Sequence, residues 1–350
     1  MRIGFDAKRF YQNASGLGNY SRKLIADLHQ FHPSWELKLF VPKLIENTSE
    51  SIVYPASNSK LWRTWGMGKS ITNEKIEVFH GLSNELPFDI PQNIRKVVTI
   101  HDVIFRQFPD YYPFFDRNIY HLKTSFALSK ADKVIATSEA TASEIQKYYK
   151  VKEGKIEVVY QAVDAEFYKH SSHFLNKEKY FIYTSSFTKR KNHLTLIQAF
   201  ELSKKQHDWN LKLVGLDGEM TAVIQNQINQ LGLQDRVEVI LNVQQDQMFE
   251  LMKNASAFVY PSLLEGFGIP LAEAAAVGLP MAVSRNAIFT ELAGDSALYF
   301  HPNDERELAS QLVLLTNDET RIQQLQKRSI LLNKIDSKRI VDQMTALYLG

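Results

Sequence analysis

The sequence predicts an α/β protein made of two parallel-sheet domains in tandem. Three observations carry that prediction. The chain has 350 residues, 44% of them hydrophobic, which is more than a single compact core usually holds. Short apolar runs alternate with longer stretches of helical spacing, the pattern of strands joined by crossover helices. The alternation lapses in a polar stretch from Asp164 through Lys179 and restarts at Tyr180. The boundary is placed there, with a first domain at 1–165 and a second at 178–336.

In the first domain, strands are expected at Arg2–Phe5, Leu37–Val41, Val78–His80, Lys96–Ile100, Val134–Thr137 and Glu157–Tyr160. Helical spacing runs from Ser21 to Phe31 and from Arg117 to Ala131. The second domain repeats the scheme, with strands at Tyr180–Thr184, Leu211–Val214, Val237–Leu241, Ala257–Tyr260 and Met281–Val283. Its helices fit Leu194–Gln206, Ala222–Leu231, Met248–Lys253 and Pro270–Val277. In the last stretch, 337–350, Ile340, Val341, Met344, Leu347 and Leu349 recur at roughly helical spacing and predict a closing helix.

Composition removes several function classes. There is no cysteine, so disulfides, thiol catalysis and thiolate metal sites are excluded. Net charge is +2, without the basic excess of a dedicated nucleic-acid binder. Residues 1–163 carry 22 basic against 17 acidic side chains, or +5, and the rest 19 against 22, or −3. A basic first half fits an anionic lipid surface or acceptor, or is ordinary scatter of surface charge. The start, Met1-Arg-Ile-Gly-Phe-Asp6, has no signal-peptide pattern, and no apolar run approaches a membrane span. A cytoplasmic location is expected, and the Asn-x-Ser matches at Asn13, Asn47 and Asn254 read as chance.

The most informative segment is 257–283, which reads strand, loop, helix, turn, strand. Pro270 suits a helix start and Gly278 a helix stop. Gly266 and Gly268 in the loop let backbone amides approach a ligand, and a glycine-rich loop feeding a helix amino terminus favours phosphate. Glu265 precedes that site and Glu273 is placed in the helix's first turn. Carboxylates beside a phosphate site would be repelled unless they face hydroxyls, so the pair fits a ligand with polyol parts on both sides of a diphosphate. Taken alone, Glu273 equally complements the helix dipole and Glu265 is a solvated loop charge.

The wording Glu265-Gly-Phe-Gly-Ile-Pro-Leu-Ala-Glu273 closely resembles the Glu-x7-Glu motif of the retaining GT-B glycosyltransferases known as family 4, and the resemblance extends over nearly the whole chain. It implies two Rossmann-like domains facing each other across a cleft, with the C-terminal helix crossing back to the first domain. It also implies transfer of a sugar from a nucleoside diphosphate donor, with retention and with neither cofactor nor metal. Glu265 then contacts the donor sugar, Gly266, Phe267, Gly268, Ile269 and Leu271 offer backbone to sugar and diphosphate, and Glu273 holds the ribose.

Other segments take roles from the same resemblance. Thr188-Lys-Arg-Lys-Asn192 is similar to the family's Arg-Lys-Asn signature, which places diphosphate on Arg190 and Lys191; by itself such a run is a solvated loop. Ser185 and Ser186 depart from the family's glycine there. Ser15-Gly-Leu-Gly-Asn-Tyr20, ahead of a helix starting near Tyr20, is no dinucleotide fingerprint, for the third glycine is absent. It resembles the family's glycine loop, with Gly16 and Gly18 toward the donor phosphates. Thr99-Ile-His-Asp102 ends a buried-looking strand, a common place for catalytic side chains. The resemblance assigns His101 to the donor sugar and transition state, with Asp102 supporting it or the acceptor; taken alone the pair is a structural turn.

His80, which ends the preceding strand in a similar way, is a second candidate, for lining the cleft. Asn242 and Val243 resemble the strand end that receives the nucleobase, and Gly215 is placed in the same pocket. Gln161 and Ala162 depart from the family's Asn-Gly, which removes a phosphate role there. The aromatics of Leu61–Trp65 and Phe108–Tyr120 fit a core or acceptor cleft, with peripheral contact at the inner membrane surface as the alternative. The expected partners are a nucleotide sugar and a saccharide or lipid-linked acceptor, with mannose or a similar hexose transferred in bacterial surface-polysaccharide assembly. Two rival readings are an inactive sugar-nucleotide binding subunit and a sugar-nucleotide epimerase of the same fold.

Overall fold

The computed structural model describes residues 1–12, 16–42, 51–53, 61–152, 154–169 and 177–350, the side chain of Gln12 excepted. Asn13, Ser15, Asn47 and the middle of the polar stretch after Asp164 lie outside the described residues. The chain divides into two compact units, Met1–Ala162 with Asp336–Gly350, and Val163–Ile335.

The first unit contains β1 (Arg2–Asp6), β2 (Glu36–Phe40), β3 (Ile52–Val53), β4 (Val78–Gly81), β5 (Arg95–Ile100), β6 (Lys133–Ala136) and β7 (Ile156–Val158). All pair in parallel, in the order β3-β2-β1-β4-β5-β6-β7. The second contains β8 (Tyr180–Thr184), β9 (Asn210–Gly215), β10 (Val237–Leu241), β11 (Ala257–Tyr260), β12 (Met281–Ser284) and β13 (Leu298–Phe300), ordered β10-β9-β8-β11-β12-β13 and again parallel. Each unit is a Rossmann-like α/β sheet. In each, strand order reverses direction once, between β1 and β4 and between β8 and β11. At such switch points the loops leaving the carboxyl ends part and open a crevice where ligands bind in this class of sheet.

The central strands Tyr180–Thr184 and Ala257–Tyr260 are buried at every position, which explains why they read as continuous apolar runs. The closing helix Ser337–Leu349 packs on the first unit. It buries Ile340, Val341, Met344, Leu347 and Tyr348, and the Tyr348 hydroxyl lies 2.7 Å from His80 Nδ1. His80 Nε2 in turn meets Thr99 Oγ1 at 2.8 Å, and Thr99 meets Tyr20 at 2.9 Å. His80 is therefore a core residue with no solvent exposure, not a cleft-lining one.

Two expectations shift. The division falls after Ala162 rather than at 165, because Asp164–Tyr168 belongs to the second unit: Asp164 caps the turn Ala165–Tyr168 and Phe167 meets Phe249 at 5.6 Å. Residues 285–336 also hold four helices, Ala287–Ala293, Glu305–Leu315, Asp318–Lys327 and Ser329–Lys334. Asn286, Asp304 and Asn317 cap the first three through their side chains, a start signal legible in sequence.

Candidate active site

In the second unit, β8 and β11 lead their following loops to the switch point. After β8 the chain makes a tight turn at Lys189–Lys191 and passes through left-handed Asn192, φ 59°. Asn192 Nδ2 donates to Pro261 O (3.1 Å) and Pro302 O (2.7 Å), and Leu263 N donates to Arg190 O (2.9 Å). Tyr183 from inside the sheet donates its hydroxyl to Lys191 O at 2.7 Å. These bonds stitch the two loops into one surface.

On that surface Glu265 is the hub. Lys191 Nζ donates to its Oε1, Arg190 Nη1 to its Oε2 at 3.1 Å, and Ser262 Oγ to Oε1 at 2.5 Å. Arg190 Nη1 also donates to Leu264 O at 2.8 Å. Burial opposes ionisation of Glu265, yet Lys191 and Arg190 overcome it and hold the carboxyl at about 2. It is a carboxylate at any working pH and cannot serve as a general acid. The cluster carries two cations against one anion, so an incoming anion meets net positive charge.

Beside it, the helix Ile269–Val277 starts at Gly268, which has φ 91° and offers no side chain to cap the helix amides. A Cβ on Gly268 would lie 2.9 Å from the Phe289 ring, so glycine is required by both backbone and space. Phe267 and Leu271 are buried, and Leu271 N donates to Gly268 O at 2.9 Å. The Leu271 amide is thus spent within the helix, which removes it from the backbone donors expected for a diphosphate.

Glu273 is the fifth helical residue, beyond the first turn where it was expected. The dipole's influence has faded there, so dipole complementation does not explain this side chain. It is half-buried, and burial with nearby Asp164 raises it to about 7. At neutral pH it is balanced between carboxylic acid and carboxylate.

Asn242 follows β10 in the left-handed region, φ 56°. Its N–H donates to Gly215 O (2.8 Å) and its Oδ1 accepts from Asp217 N (3.2 Å). Val243, half-buried, comes next.

In the first unit, His101 stands at the carboxyl end of β5, 7% exposed. Its Nε2 lies 2.8 Å from Leu82 O; a carbonyl only accepts, so the proton is on Nε2 and Nδ1 faces Gln161 Nε2 at 3.4 Å. Burial, against the Leu82 hydrogen bond, lowers it to about 4, and the ring is neutral. Its imidazole is oriented by Leu82 and Gln161, not by Asp102. Asp102 Oδ1 instead accepts from Ile104 N at 3.2 Å and forms a turn. Asn84 clamps this strand end, accepting from His101 N (3.0 Å) and donating to Asp102 O (3.0 Å).

Gly16 and Gly18 lie inside the helix Gly16–Phe31, which begins earlier than Tyr20 and takes them out of the loop. At the first sheet's switch point Arg63 joins Asp6 (2.7 Å) to Glu85 (2.8 Å), and Lys123 also reaches Glu85 (3.1 Å). Sequence reasoning assigns no role to Arg63, Gln161 or Asn84; the signals are the place of Asn84 and Gln161 just after strands and the departure of Gln161 from the family pattern. The aromatic segments divide: Trp62 and Phe105 are core, while Leu61, Trp65, Phe114 and Phe115 are exposed. Among the described residues, no group of three or more His, Cys, Asp or Glu is arranged to hold a metal.

Comparison with known proteins agrees with this fold. The model of glycosyl transferases group 1 matches residues 164–331 and that of glycosyltransferase family 4 matches 27–167. The Salmonella typhimurium O-antigen chain mannosyltransferase RfbU is 31% identical over 63% of this chain and 61% of its own. The chain therefore spans less than two thirds of that relative. The Escherichia coli O-antigen chain mannosyltransferase B is 25% identical over 91% of this chain and 92% of its own. The crystal structure of WaaG, a glycosyltransferase involved in lipopolysaccharide biosynthesis, superposes with a TM-score of 0.76 at 15% identity over the whole of both chains. Anabaena HepE in complex with UDP and glucose gives 0.75 at 16% identity, over 99% of this chain and 98% of its own. With the two family models matched in tandem on two Rossmann-like units, the chain belongs to the group 1, family 4 glycosyltransferases and has the GT-B fold.

Proposed function

We propose that this glycosyltransferase moves a hexose, mannose before others, from a nucleoside diphosphate sugar to a saccharide or lipid-linked saccharide in bacterial surface-polysaccharide assembly. Retention at the anomeric carbon and independence of metal are part of the proposal. The observation that carries it is the Arg190–Lys191–Glu265 cluster at the β8/β11 switch point, beside a helix start bounded by Gly268. The names of the two O-antigen mannosyltransferase relatives support the sugar and the pathway class.

In the reaction the bond between the anomeric carbon and the diphosphate breaks, leaving positive charge on the sugar ring and negative charge on the diphosphate. Arg190, Lys191 and the 266–269 amides stabilise that leaving group by preorganised charge. Glu265, permanently ionised, keeps both cations aimed and accepts from sugar hydroxyls. Glu273 accepts from the ribose, and Asn242 and Val243 lie at the nucleobase. Within the first unit, neutral His101, oriented by Gln161 and Leu82, is the catalytic side chain of this reading.

Incubation of a labelled nucleotide sugar with and without saccharide acceptors, in the presence of chelator, tests the proposal. Label transferred to an acceptor with unchanged anomeric configuration is the expected result. A changed donor sugar without acceptor makes the protein an epimerase. Binding with neither reaction makes it a sugar-nucleotide binding subunit.

The raised Glu273 predicts a pH dependence. A carboxylate accepts ribose hydroxyl protons better than an acid, so affinity for a nucleoside diphosphate sugar, whose diphosphate does not titrate in this range, rises about tenfold between about pH 6 and about pH 8. Glu273→Gln flattens that profile. The same shift makes folding stability fall as pH rises from the unfolded value near 4.5 through about 7, since the native state holds the proton longer. Glu273→Gln is accordingly more stable than wild type at about pH 8, by on the order of 2 kcal/mol. Calorimetry and urea unfolding at both pH values check the pair; equal pH profiles in the two proteins would contradict the ribose role.

No helix among the described residues is long and apolar enough to cross a membrane. Peripheral contact with the inner membrane surface is nevertheless part of the proposal. The helix Phe114–Lys130 buries no side chain before Thr124, and Phe115, at 79% exposure, shares a stripe with exposed Ile119 and Leu122. Arg117, Lys123 and Lys130 accompany it, a pattern suited to an anionic lipid surface. Phe114→Ser with Phe115→Ser is expected to lower retention on vesicles containing phosphatidylglycerol about tenfold or more, with nucleotide affinity unchanged; undiminished retention would contradict it.

A further inference from the structure

At the amino-terminal edge of the second sheet, away from the strand ends that carry Arg190, Lys191 and Glu265, a second group of cations converges. Arg321, Gln324 and Arg328 recur at i, i+3 and i+7 and so share one face of the helix Asp318–Lys327 and its C-cap. Gln324, 6% exposed, accepts from Met281 N, the first residue of β12, through Oε1 at 2.7 Å. That bond fixes the amide, so its Nε2 is a donor, and among the described residues it is buried without an acceptor. Lys177 Nζ, just ahead of β8, and Arg328 Nη1 are likewise buried donors without an acceptor among the described residues. Arg321 borders the group; it bonds Asp318, which is largely exposed, and its guanidinium lies 4.9 Å over the Trp209 ring.

Burial, then the charges of Arg328 and Arg321, bring Lys177 down to about 8, which places the ammonium near both guanidiniums. Residues 170–176 contain no Asp or Glu, so that neighbouring sequence supplies no carboxylate. Lys177 and Arg328 are thus two cationic donors near each other, and the Gln324 donor lies one helical turn before Arg328. Buried donors require an acceptor, and a water molecule would bring two hydrogens of its own that also need acceptors. An acceptor-only anion meets all three.

We propose that Lys177, Arg328 and Gln324, with Arg321 at the rim, form a site for a small oxyanion of the phosphate class, separate from the donor diphosphate site. Phosphate is bound there by charge-assisted hydrogen bonds on the opposite edge of the sheet from the chemistry, and it ties helix Asp318–Lys327 to the starts of β8 and β12. The ligand is either free phosphate or the phosphate monoester of a lipid headgroup.

The test is thermal unfolding of the full chain in the Lys191→Ala background, which weakens phosphate binding at the donor site, in potassium phosphate and in potassium chloride of equal ionic strength. Phosphate is expected to raise Tm by about 2 °C or more. The rise disappears on adding Lys177→Met, which removes a buried cation lacking an acceptor and does not lower Tm in chloride. Arg328→Gln is the second variant, and it also loses the rise. Retention on vesicles containing phosphatidic acid, lost in Lys177→Met, assigns the headgroup as the source and supports the same chemistry. A phosphate-induced rise that is equal in Lys177→Met and Arg328→Gln, or no rise and no retention in the parent, would overturn the site.

Discussion

Lys191→Ala is expected to lower the rate of sugar transfer by about 10²–10³-fold, the scale seen when one preorganised charge stabiliser is removed. The ammonium is buried beside Glu265, so little solvent rearrangement attends its contact with a diphosphate, and the low surrounding polarity strengthens it. Nucleotide affinity falls as well, by about 10–100-fold, the worth of a charged hydrogen bond. Glu265 then keeps only Arg190 as a cationic partner, and its carboxyl rises from about 2 toward the ordinary range. Steady-state kinetics with a fixed donor, read together with calorimetry, separates the two losses. Unchanged kcat with weakened binding would confine Lys191 to ground-state recognition.

Gly215→Ala is expected to destabilise the second unit by about 3 kcal/mol or more, in the range of severe overpacking. Gly215 ends β9, and a Cβ there would lie 1.6 Å from the Ser185 carbonyl oxygen and 2.6 Å from its carbon. Both atoms are backbone, so no rotamer relieves the clash. The end of β8 has to leave its register with β9, where Thr184 faces Val214, and the loop bearing Arg190 and Lys191 moves with it. Nucleotide binding should therefore weaken along with stability. Gly232→Ala is the matched control: its φ of 61° is positive but a Cβ meets nothing within 4 Å, and the cost is about 1 kcal/mol. Urea unfolding of the two variants that gave equal losses would contradict the packing argument.

The contrast between these glycines shows what sequence can and cannot display. Gly268 announces itself, because it stands in a loop before Ile269-Pro270 and the punctuation of a helix start is local. Gly215 reads only as the end of an apolar run, since the carbonyl that demands it is 30 residues earlier in the chain (215 − 185). Tyr180–Thr184 and Ala257–Tyr260 coincide with their expected strands because parallel strands covered on both faces must be apolar throughout, and the edge strand Val237–Leu241 coincides too although Glu238 is exposed. β3 has two residues, too few for any periodicity to register.

The site divides in the same way. Arg190, Lys191 and Glu265 are each recognisable from motif wording, which assigns the cations to phosphate and the carboxylate to sugar. Their mutual ion pairing, across about 75 residues, follows only from the β8/β11 switch point. His101 is recognisable from its strand end, but the side chain that orients it is Gln161, a residue conspicuous in sequence as a departure from the family pattern. Asp102, adjacent in sequence and the intuitive partner, is committed to a turn. His80 looks like His101 in sequence, yet the closing helix covers it with Tyr348, which no local pattern around position 80 records.

The central claim, that the β8/β11 switch point holds the nucleoside diphosphate of a sugar donor, is tested most directly by calorimetric titration without added metal. GDP, UDP, dTDP and ADP would be titrated into wild type, Lys191→Ala, Glu273→Ala and Lys177→Met. Saturable binding of one nucleotide, weakened in Lys191→Ala and Glu273→Ala and retained in Lys177→Met, is the predicted result and identifies the donor base. Absence of binding by all four, or equal binding in wild type and Lys191→Ala, would contradict the account.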